Sequence, residues 1–186
     1  MNRGQSMMAS ELRVIAPLGE QIHFAIGISP VGNVLVAESA KGICAVYLGK
    51  SAKELMLSLQ KQFPAAKCVD GGNGIKNTLS RVIELILNPQ KISDFKLDLR
   101  GTDFQQQVWQ ALQEIPVGST ISYSDIAEKM HNPGAVRAIA SACGANNIAV
   151  IIPCHRVIRK DGSLSGYRWG VENKHALLRR EKVMLT

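Results

Sequence analysis

The stretch IHFAIGISPVGNVLVAESAKGICAVYLG, Ile22 to Gly49, decides the fold of the N-terminal half of the chain. It contains three short apolar segments, IHFAIGIS, GNVLVAES and GICAVYLG, which are rich in isoleucine and valine. Such segments favour strands, and the SPVGN motif between the first two has the residues of a tight turn. The stretch therefore predicts three consecutive strands of one small sheet.

A helix is predicted directly after the third strand. In SAKELMLSLQKQF the apolar residues Leu55, Leu59 and Phe63 are spaced four apart, which places them on one face of a helix. Ser51 stands where an N-cap residue is expected.

Three further elements complete an α/β unit over residues 21–99. CVDGGNG is predicted to be a loop, IKNTLSRVIELILN a second helix, and FKLDL another strand. Residues 1–20, before the first strand, are expected to be a tail or linker.

From residue 100 to residue 186 the pattern is mostly helical. TDFQQQVWQALQEI, SYSDIAEKM and AVRAIASACGAN are predicted helices. The first two begin with a Thr or Ser followed three residues later by Gln or Asp, which is the spacing of a capping box. HNPG separates the second and third helices, and such a pair is either an ordinary αα-hairpin or a helix-turn-helix.

The third of these helices has an unusually smooth face. Arg137 is accompanied there by Ala138, Ser141, Gly144 and Ala145. Small side chains allow close approach to a partner, but they read little base sequence. Either the arginine is an ordinary surface residue, or the helix makes a sequence-independent DNA contact with one inserted side chain.

Composition favours a polyanionic partner. The chain has 22 basic and 15 acidic residues and a net charge of +7, which suits nucleic acid or an acidic membrane. The alternative is a basic enzyme without a nucleic-acid partner. No apolar run is long enough to span a bilayer, and the N-terminus lacks the pattern of a secretory signal. The four cysteines form no C-x-x-C pair, which fits a reducing cytosol, and the four scattered histidines predict no zinc site.

The stretch AVIIPCHRVIRKDG places a thiol beside an imidazole and several cations. Ile148 to Ile152 is predicted to be a buried strand that delivers Cys154, and Pro153 restricts the backbone between them. Neighbouring His155 or Arg156 can lower the pKa of such a thiol. In a regular strand these neighbours would point to opposite faces, so their pairing requires a turn. The remaining cysteines are interpreted as inert small hydrophobic residues: Cys44, Cys68 and Cys143.

A carboxylate in the last predicted helix is a candidate partner for the imidazole. Glu181 falls on the apolar stripe of VENKHALLRREKVM, and a buried carboxylate must be paired. It is either half-exposed and bridged to Arg180 or Lys182, or buried and directed toward His155. The second arrangement would hold the tautomer of a catalytic histidine.

Several separated motifs together resemble one protein family. PCHRV, SGYRWG, SYSDIA and NPGAVRAIASACGAN are similar to motifs of the O6-alkylguanine-DNA alkyltransferases, also called methylated-DNA–protein-cysteine methyltransferases. The likeness covers roughly residues 22–184. It is closest to the branch represented by the C-terminal domain of the Ada adaptive-response protein.

The resemblance implies a fold and an activity. The expected fold is a ribonuclease H-like α/β N-terminal subdomain and a mostly helical C-terminal subdomain with a helix-turn-helix. The expected reaction is a single, irreversible transfer of the alkyl group of O6-alkylguanine, or of O4-alkylthymine, to Cys154 after the nucleotide is flipped out of duplex DNA. No cofactor and no metal are expected, and the protein is expected to be a monomer in the bacterial cytoplasm with double-stranded DNA as its partner.

The resemblance also implies residue roles. For catalysis it implies Cys154 as alkyl acceptor, His155 as base through a water, Glu181 as orienting carboxylate, Asn146 as brace of the turn before the active-site strand, and Tyr123 as donor to guanine N3. For DNA binding it implies Arg137 as the inserted finger, with Tyr123, Ala138, Ser141 and Ala145 beside it. For the nucleotide pocket it implies the carbonyls of Cys154 and Val157, which would bind the exocyclic amine, and Tyr167, Arg168 and Trp169.

One departure from the family predicts a narrow pocket. Trp169 stands where some relatives have glycine, and Arg168 is also bulky, so the pocket is expected to accept methyl and to discriminate against benzyl. Two rival functions remain at this level. A non-catalytic DNA-binding regulator would need base-reading side chains, and a Cys-His-Glu hydrolase would need an oxyanion hole.

Overall fold

A computed structural model of the chain describes residues 19–91, 94–164 and 166–183. The predicted tail at residues 1–20 therefore lies almost entirely outside the described residues. No helix within the described residues is long and apolar enough to cross a membrane.

The N-terminal half is built on a four-stranded sheet. Strands β1 (Gln21–Ser29), β2 (Gly32–Ser39) and β3 (Gly42–Gly49) form an antiparallel meander, which confirms the three predicted strands. Strand β4 (Lys67–Asp70) adds to β1 in parallel, so that the order across the sheet is β3-β2-β1-β4.

The prediction of a loop at CVDGGNG was wrong in its first three residues, which belong to β4. The side chains of this edge strand are exposed or half-buried, so no alternation of buried apolar residues marks it in the sequence. Backbone pairing forms it instead: Lys67 N–H donates to the Glu20 carbonyl at 2.8 Å, and Gly71 N–H donates to the Phe24 carbonyl at 3.0 Å.

Two helices cover opposite faces of the sheet. Helix α1 (Ala52–Gln62) packs in a cluster with Leu35 and Tyr47, and helix α2 (Asn73–Leu87) packs in another with Val34 and Val36. Alternate residues of a strand point to opposite faces, so these neighbours place the helices on the two sides. The cluster on the α2 side continues into the core of the C-terminal half.

The prediction of a strand at FKLDL was also wrong. This segment makes a single parallel bridge, between Leu97 and Ile43, at the outer edge of the sheet. Directly after this bridge, the Asp98 carboxylate accepts hydrogen bonds from Ser39 and Arg100. The Arg100 guanidinium also binds Glu20, the residue before β1, with its Nη1 2.8 Å from Glu20 Oε2.

The described part of the C-terminal half contains four α-helices, as its apolar periodicity predicts. They are α3 (Asp103–Gln113), α4 (Tyr123–Lys129), α5 (Val136–Gly144) and α6 (Val171–Arg180). Both predicted capping boxes are confirmed, at the starts of α3 and α4. A 3₁₀ turn at Pro133–Ala135 joins α4 to α5.

The predicted strand Ile148–Ile152 is instead a bent segment. Ile148 makes one parallel bridge with Val46 of β3, and the chain then turns, with Ile152 N–H bound to the Ile148 carbonyl at 3.1 Å. Val150 has φ 70°, a left-handed conformation that a β-branched residue rarely adopts. An apolar run cannot reveal this bend, because its residues are buried whether the backbone is straight or folded.

Candidate functional site

The candidate nucleophile lies in a tight turn after the bent segment. Cys154 begins a 3₁₀ turn, Cys154–Arg156, and is only 4% exposed. Its backbone N–H donates to the Ile152 carbonyl at 2.8 Å. This turn brings consecutive side chains into one buried region, which a strand would not do. Two short strands, β5 (Ile121–Ser122) and β6 (Val157–Ile158), pair in parallel beside it.

Asn146 connects the end of α5 to the nucleophile. Its side-chain Nδ2 donates to the carbonyl of Ile152 at 3.0 Å and to the Cys154 sulfur at 3.1 Å. Its Oδ1 accepts from the Ile148 N–H at 2.8 Å, and its Nδ2 also lies 3.3 Å from the Ile148 carbonyl. The Asn146 side chain is only 1% exposed. Its amide supplies hydrogen bonds to backbone groups of the bent segment that a regular strand would satisfy by pairing with a neighbouring strand.

His155 and Glu181 form a buried pair. The imidazole Nε2 donates to Glu181 Oε1 at 2.8 Å, which leaves Nδ1 as the acceptor of a neutral ring. That Nδ1 is buried and has no hydrogen-bond partner among the described residues. Burial lowers the pKa of His155, and the hydrogen bond to the carboxylate opposes that effect. The ring is therefore neutral at pH 7, with a free lone pair inside the protein.

Of the two arrangements predicted for Glu181, the structure shows the buried one directed toward His155, and the carboxylate is also paired with Arg156 rather than with Arg180 or Lys182. Arg156 Nε lies 3.0 Å from Oε2 and Nη2 lies 2.9 Å from Oε1, and Nη1 donates to the Ile115 carbonyl at 2.6 Å. Burial opposes ionisation of Glu181, but the hydrogen bonds from His155 and Arg156 outweigh it and lower its pKa to about 2. The carboxylate is thus fixed as an anion.

Lys174 is a buried cation that the sequence interpretation missed. Its side chain is fully buried, and Nζ donates to the Val157 carbonyl at 2.6 Å. Burial lowers the pKa of this amine, while interaction with the thiols of Cys154 and Cys143 opposes the shift. A signal was present, because Lys174 lies three and seven residues before Leu177 and Glu181 on the buried face of α6.

Burial dominates the ionisation of the candidate nucleophile. It raises the pKa of the Cys154 thiol, and the hydrogen bond from Asn146 and the charges of Lys174 and Arg168 lower it in part. Of the two neighbours considered as able to lower this pKa, Arg156 is instead bound to Glu181 and to the Ile115 carbonyl. The thiol is therefore protonated at rest.

The segment Tyr167–Trp169 lies between the nucleophile and the N-terminal sheet. The Tyr167 hydroxyl is buried without a partner among the described residues, and burial raises the pKa of that phenol well above its usual value, with further contributions from Cys154 and Glu181. Trp169 stacks on Tyr47 of β3, with ring centroids 4.8 Å apart. Arg168 is exposed and lies over the Trp169 ring at 4.9 Å.

The other predicted site residues lie on the first two helices after α3. Tyr123 is the half-buried first residue of α4. On α5, Arg137, Ala138 and Ser141 are exposed, and Ala145, just past its end, is half-buried. The structure thus brings Cys154, its amide, the histidine pair and Lys174 together, and it presents the smooth arginine-bearing face separately.

This arrangement of side chains can remove the proton from the Cys154 thiol when a substrate is bound. A neutral imidazole with a free acceptor nitrogen and a protonated thiol belong to consecutive residues of one buried turn. A fixed carboxylate can stabilise the imidazolium that would form if the proton moved to the ring. A nearby ammonium supports the resulting thiolate. Within the described residues, no group of three or more His, Cys, Asp or Glu side chains is placed to hold a metal ion.

The chain is similar to known proteins over most of its length. Residues 103–183 match the model of the 6-O-methylguanine DNA methyltransferase DNA-binding domain. The chain is 40% identical to an inducible methylated-DNA–protein-cysteine methyltransferase of Bacillus subtilis over 81% of this chain and 84% of that protein. It is 49% identical to the bifunctional transcriptional activator and DNA repair enzyme Ada of Escherichia coli over 86% of this chain, but it spans only 45% of that longer protein.

A solved structure has the same architecture. The crystal structure of Mycobacterium tuberculosis OGT in complex with DNA matches with a TM-score of 0.70 and 36% sequence identity. The match covers 86% of this chain and 92% of that one, so it includes both the sheet and the helical half.

Proposed function

This chain belongs to the methylated-DNA–protein-cysteine methyltransferases, and from that premise we propose that it repairs alkylated DNA by moving the alkyl group onto Cys154. The substrate is O6-alkylguanine, or O4-alkylthymine, in double-stranded DNA. The observation that carries the proposal is the buried thiol held by Asn146 beside a neutral His155 whose other nitrogen is bound to Glu181.

The transfer is one displacement at carbon. The Cys154 proton passes to His155 Nδ1 through a water, and the thiolate attacks the carbon attached to guanine O6. The C–S bond forms as the C–O bond breaks, and the electron pair remains on the guanine. Tyr123 donates a proton to N3 as charge develops on the base, and the proton held by His155 then returns to the Tyr123 phenolate through solvent. The net result is that the thiol proton is transferred to the product, and both side chains regain their resting forms.

The product limits the protein to one reaction. A thioether is not reversed by thiol exchange, so each chain is consumed by the lesion it repairs. The raised pKa of the resting thiol suits this chemistry, because a thiol that stays protonated until substrate arrives is protected from oxidation and unproductive alkylation.

DNA binding is assigned to α4 and α5 as a helix-turn-helix. The face of Arg137, Ala138, Ser141 and Ala145 is smooth, which permits close approach without reading base sequence. Extruding a nucleotide costs a few kcal/mol, and insertion of the Arg137 side chain into the gap offsets part of that cost. The net charge of +7 supplies attraction to phosphates at any sequence.

The remaining parts of the pocket follow from the segment around Tyr167. Tyr167, Arg168 and Trp169 line the pocket of the flipped nucleotide. The carbonyls of Cys154 and Val157 accept hydrogen bonds from the exocyclic amine of its base. The Val157 carbonyl is already bound to Lys174, so its second lone pair would make this contact.

The organisation of the whole protein is part of the same proposal. Residues 21–99 form a ribonuclease H-like subdomain and residues 100–186 the catalytic DNA-binding subdomain. The protein acts as a monomer in the bacterial cytoplasm, and its four free cysteines are consistent with a reducing compartment.

Peptide mapping after reaction with duplex DNA containing O6-methylguanine tests the proposal. We expect one methyl group per chain, on Cys154. Trypsin leaves Ala138–Arg156 as one peptide that also contains Cys143, so fragmentation must separate the two cysteines. Cys143→Ala is the matched control and should react normally, whereas Cys154→Ala should not. Methylation elsewhere, or repeated turnover on an ester substrate, would contradict alkyl transfer.

A further inference from the structure

A contact between the two halves of the molecule reaches the proposed nucleotide pocket. Tyr47 lies on β3, on the face of the sheet that α1 covers, and it is fully buried. Its ring stacks on Trp169 with an interplanar angle of 29°. Arg168 lies beside both rings, because its guanidinium carbon is 5.9 Å from the Tyr47 ring centroid and 4.9 Å from that of Trp169.

The backbone of this segment is fixed on its other side by α6. Asn173 Nδ2 donates to the Trp169 carbonyl at 2.8 Å, and Gly170 N–H donates to the Tyr167 carbonyl at 3.0 Å. The turn is therefore held at its base, whereas the Trp169 indole depends on Tyr47. Trp169 packs against both hydrophobic clusters of the protein, so its ring lies at the junction of the two halves.

The polar atoms of the two rings do not orient them, which leaves ring stacking as the interaction that positions the indole. The Tyr47 hydroxyl and the Trp169 Nε1 are both buried, and neither has a hydrogen-bond partner among the described residues. Aromatic pairs at this separation attract each other beyond the area they bury. Since no hydrogen bond to another described residue directs either ring, the aromatic face of Tyr47 sets where the indole sits.

We propose that Tyr47 is a positioning residue for substrate specificity: it holds Trp169 as the wall of the nucleotide pocket and so limits the size of the alkyl group that reaches Cys154. The inference rests on the proposed function, and it gives the N-terminal sheet a part in a reaction whose chemical groups all belong to the C-terminal half. Displacing the indole would widen the pocket without touching the nucleophile or its base.

The test compares rates of transfer of benzyl and methyl from O6 of guanine at the same position of one duplex. Tyr47→Leu should raise the ratio of benzyl to methyl rate by about tenfold, because it removes the aromatic face that supports the indole. Tyr47→Phe keeps that face and loses only an unbound hydroxyl, so it should retain the wild-type ratio. Leu59→Ala, a cavity in the same cluster on α1, is the control for lost stability and should leave the ratio unchanged.

A double variant tests whether Tyr47 affects the benzyl-to-methyl ratio through Trp169 or by another route. Trp169→Ala should raise the ratio by itself, and adding Tyr47→Leu to it should raise the ratio no further. An unchanged ratio in folded Tyr47→Leu, or a full additional increase in the double variant, would overturn the inference.

A measurement without substrate keeps this inference distinct from the proposed function. Acrylamide quenching of tryptophan fluorescence should increase in Tyr47→Leu and not in Tyr47→Phe, because the indole of Trp169 is released toward solvent. The second tryptophan, Trp109, is 3% exposed and donates to the Ala142 carbonyl at 2.8 Å, so it gives a constant background. If the wild-type protein transferred no alkyl group, the proposed function would fail, whereas unchanged quenching in Tyr47→Leu would refute the positioning role.

Discussion

Replacement of Glu181 by glutamine is expected to weaken the native state by an amount that depends on pH. The carboxylate accepts from His155 Nε2 at 2.8 Å and from two nitrogens of Arg156, and burial leaves it 6% exposed. The pKa of Glu181 is lowered from 4.5 to about 2 in the folded protein. At about 1.4 kcal/mol per pKa unit, this difference corresponds to roughly 3 kcal/mol of stability.

The direction of the pH dependence follows from the lowered pKa. The stabilisation is complete above the unfolded pKa of 4.5 and is lost as the pH falls toward the folded pKa of about 2. The loss from removing one partner of a buried ion pair is about 3–5 kcal/mol, which agrees with the size of the shift. Glu181→Gln should therefore lose about 3 kcal/mol at pH 7, and its curve should approach that of the wild type near pH 2.

Urea denaturation followed by circular dichroism at several pH values measures this difference. Glu172→Gln is the matched control, since it makes the same chemical change at an exposed position in the first turn of α6 and should cost at most about 1 kcal/mol. The same substitution at Glu181 should slow alkyl transfer by about a hundredfold or more, because the imidazolium loses its counter-charge. Equal stability of wild type and Glu181→Gln at pH 7 would refute the argument.

Three further substitutions test other parts of the site. Lys174→Met should raise the pKa of the Cys154 thiol, so that the pH–rate profile of transfer moves to higher pH and the rate at pH 7 falls by about tenfold; an unshifted profile would show that the ammonium does not act on the thiol. Arg137→Ala should slow repair of duplex DNA by about tenfold or more and leave transfer from a free modified base nearly unchanged, as measured by single-turnover kinetics; equal effects on both substrates would count against an inserted side chain. Asn146→Ala should cost about 3 kcal/mol in denaturation, since it leaves buried backbone groups near Ile148 unpaired, and a loss below about 1 kcal/mol would mean that the bent segment holds itself.

Local sequence signals predicted most helices and strands, because residues close together in the sequence determine those elements. Apolar alternation and turn residues define β1 to β3, and helical spacing with capping boxes defines α3 and α4. The three wrong elements have different causes. In β4 and in FKLDL, backbone partners distant in sequence decide the conformation. In Ile148–Ile152 the Asn146 amide and the left-handed backbone of Val150 bend the segment, and its apolar side chains do not reveal either.

The candidate site likewise has residues that the sequence could identify and residues that it could not. Cys154, His155 and Glu181 could be selected from the sequence because a thiol, an imidazole and a carboxylate on a buried stripe are chemically conspicuous. The cations that set their charge states were harder to assign: Arg156 could be noticed beside the thiol but not paired with Glu181, and Lys174 looks like an ordinary surface cation in a basic chain. Only the 3₁₀ turn at Cys154–Arg156 shows that Arg156 points to the carboxylate rather than to the thiol.

The charge balance of the buried site explains why two cations are needed there. Glu181 carries one negative charge, and Arg156 neutralises it at rest. In the proposed transfer, the thiol gives its proton to His155, and a thiolate and an imidazolium appear together in a region of low dielectric. Glu181 already faces the imidazolium, so without Lys174 the thiolate would keep only the charge of the exposed Arg168 to balance it. A buried ammonium whose pKa is itself lowered by burial is most stabilised at the moment the thiolate forms, which makes its contribution specific to the reacting state.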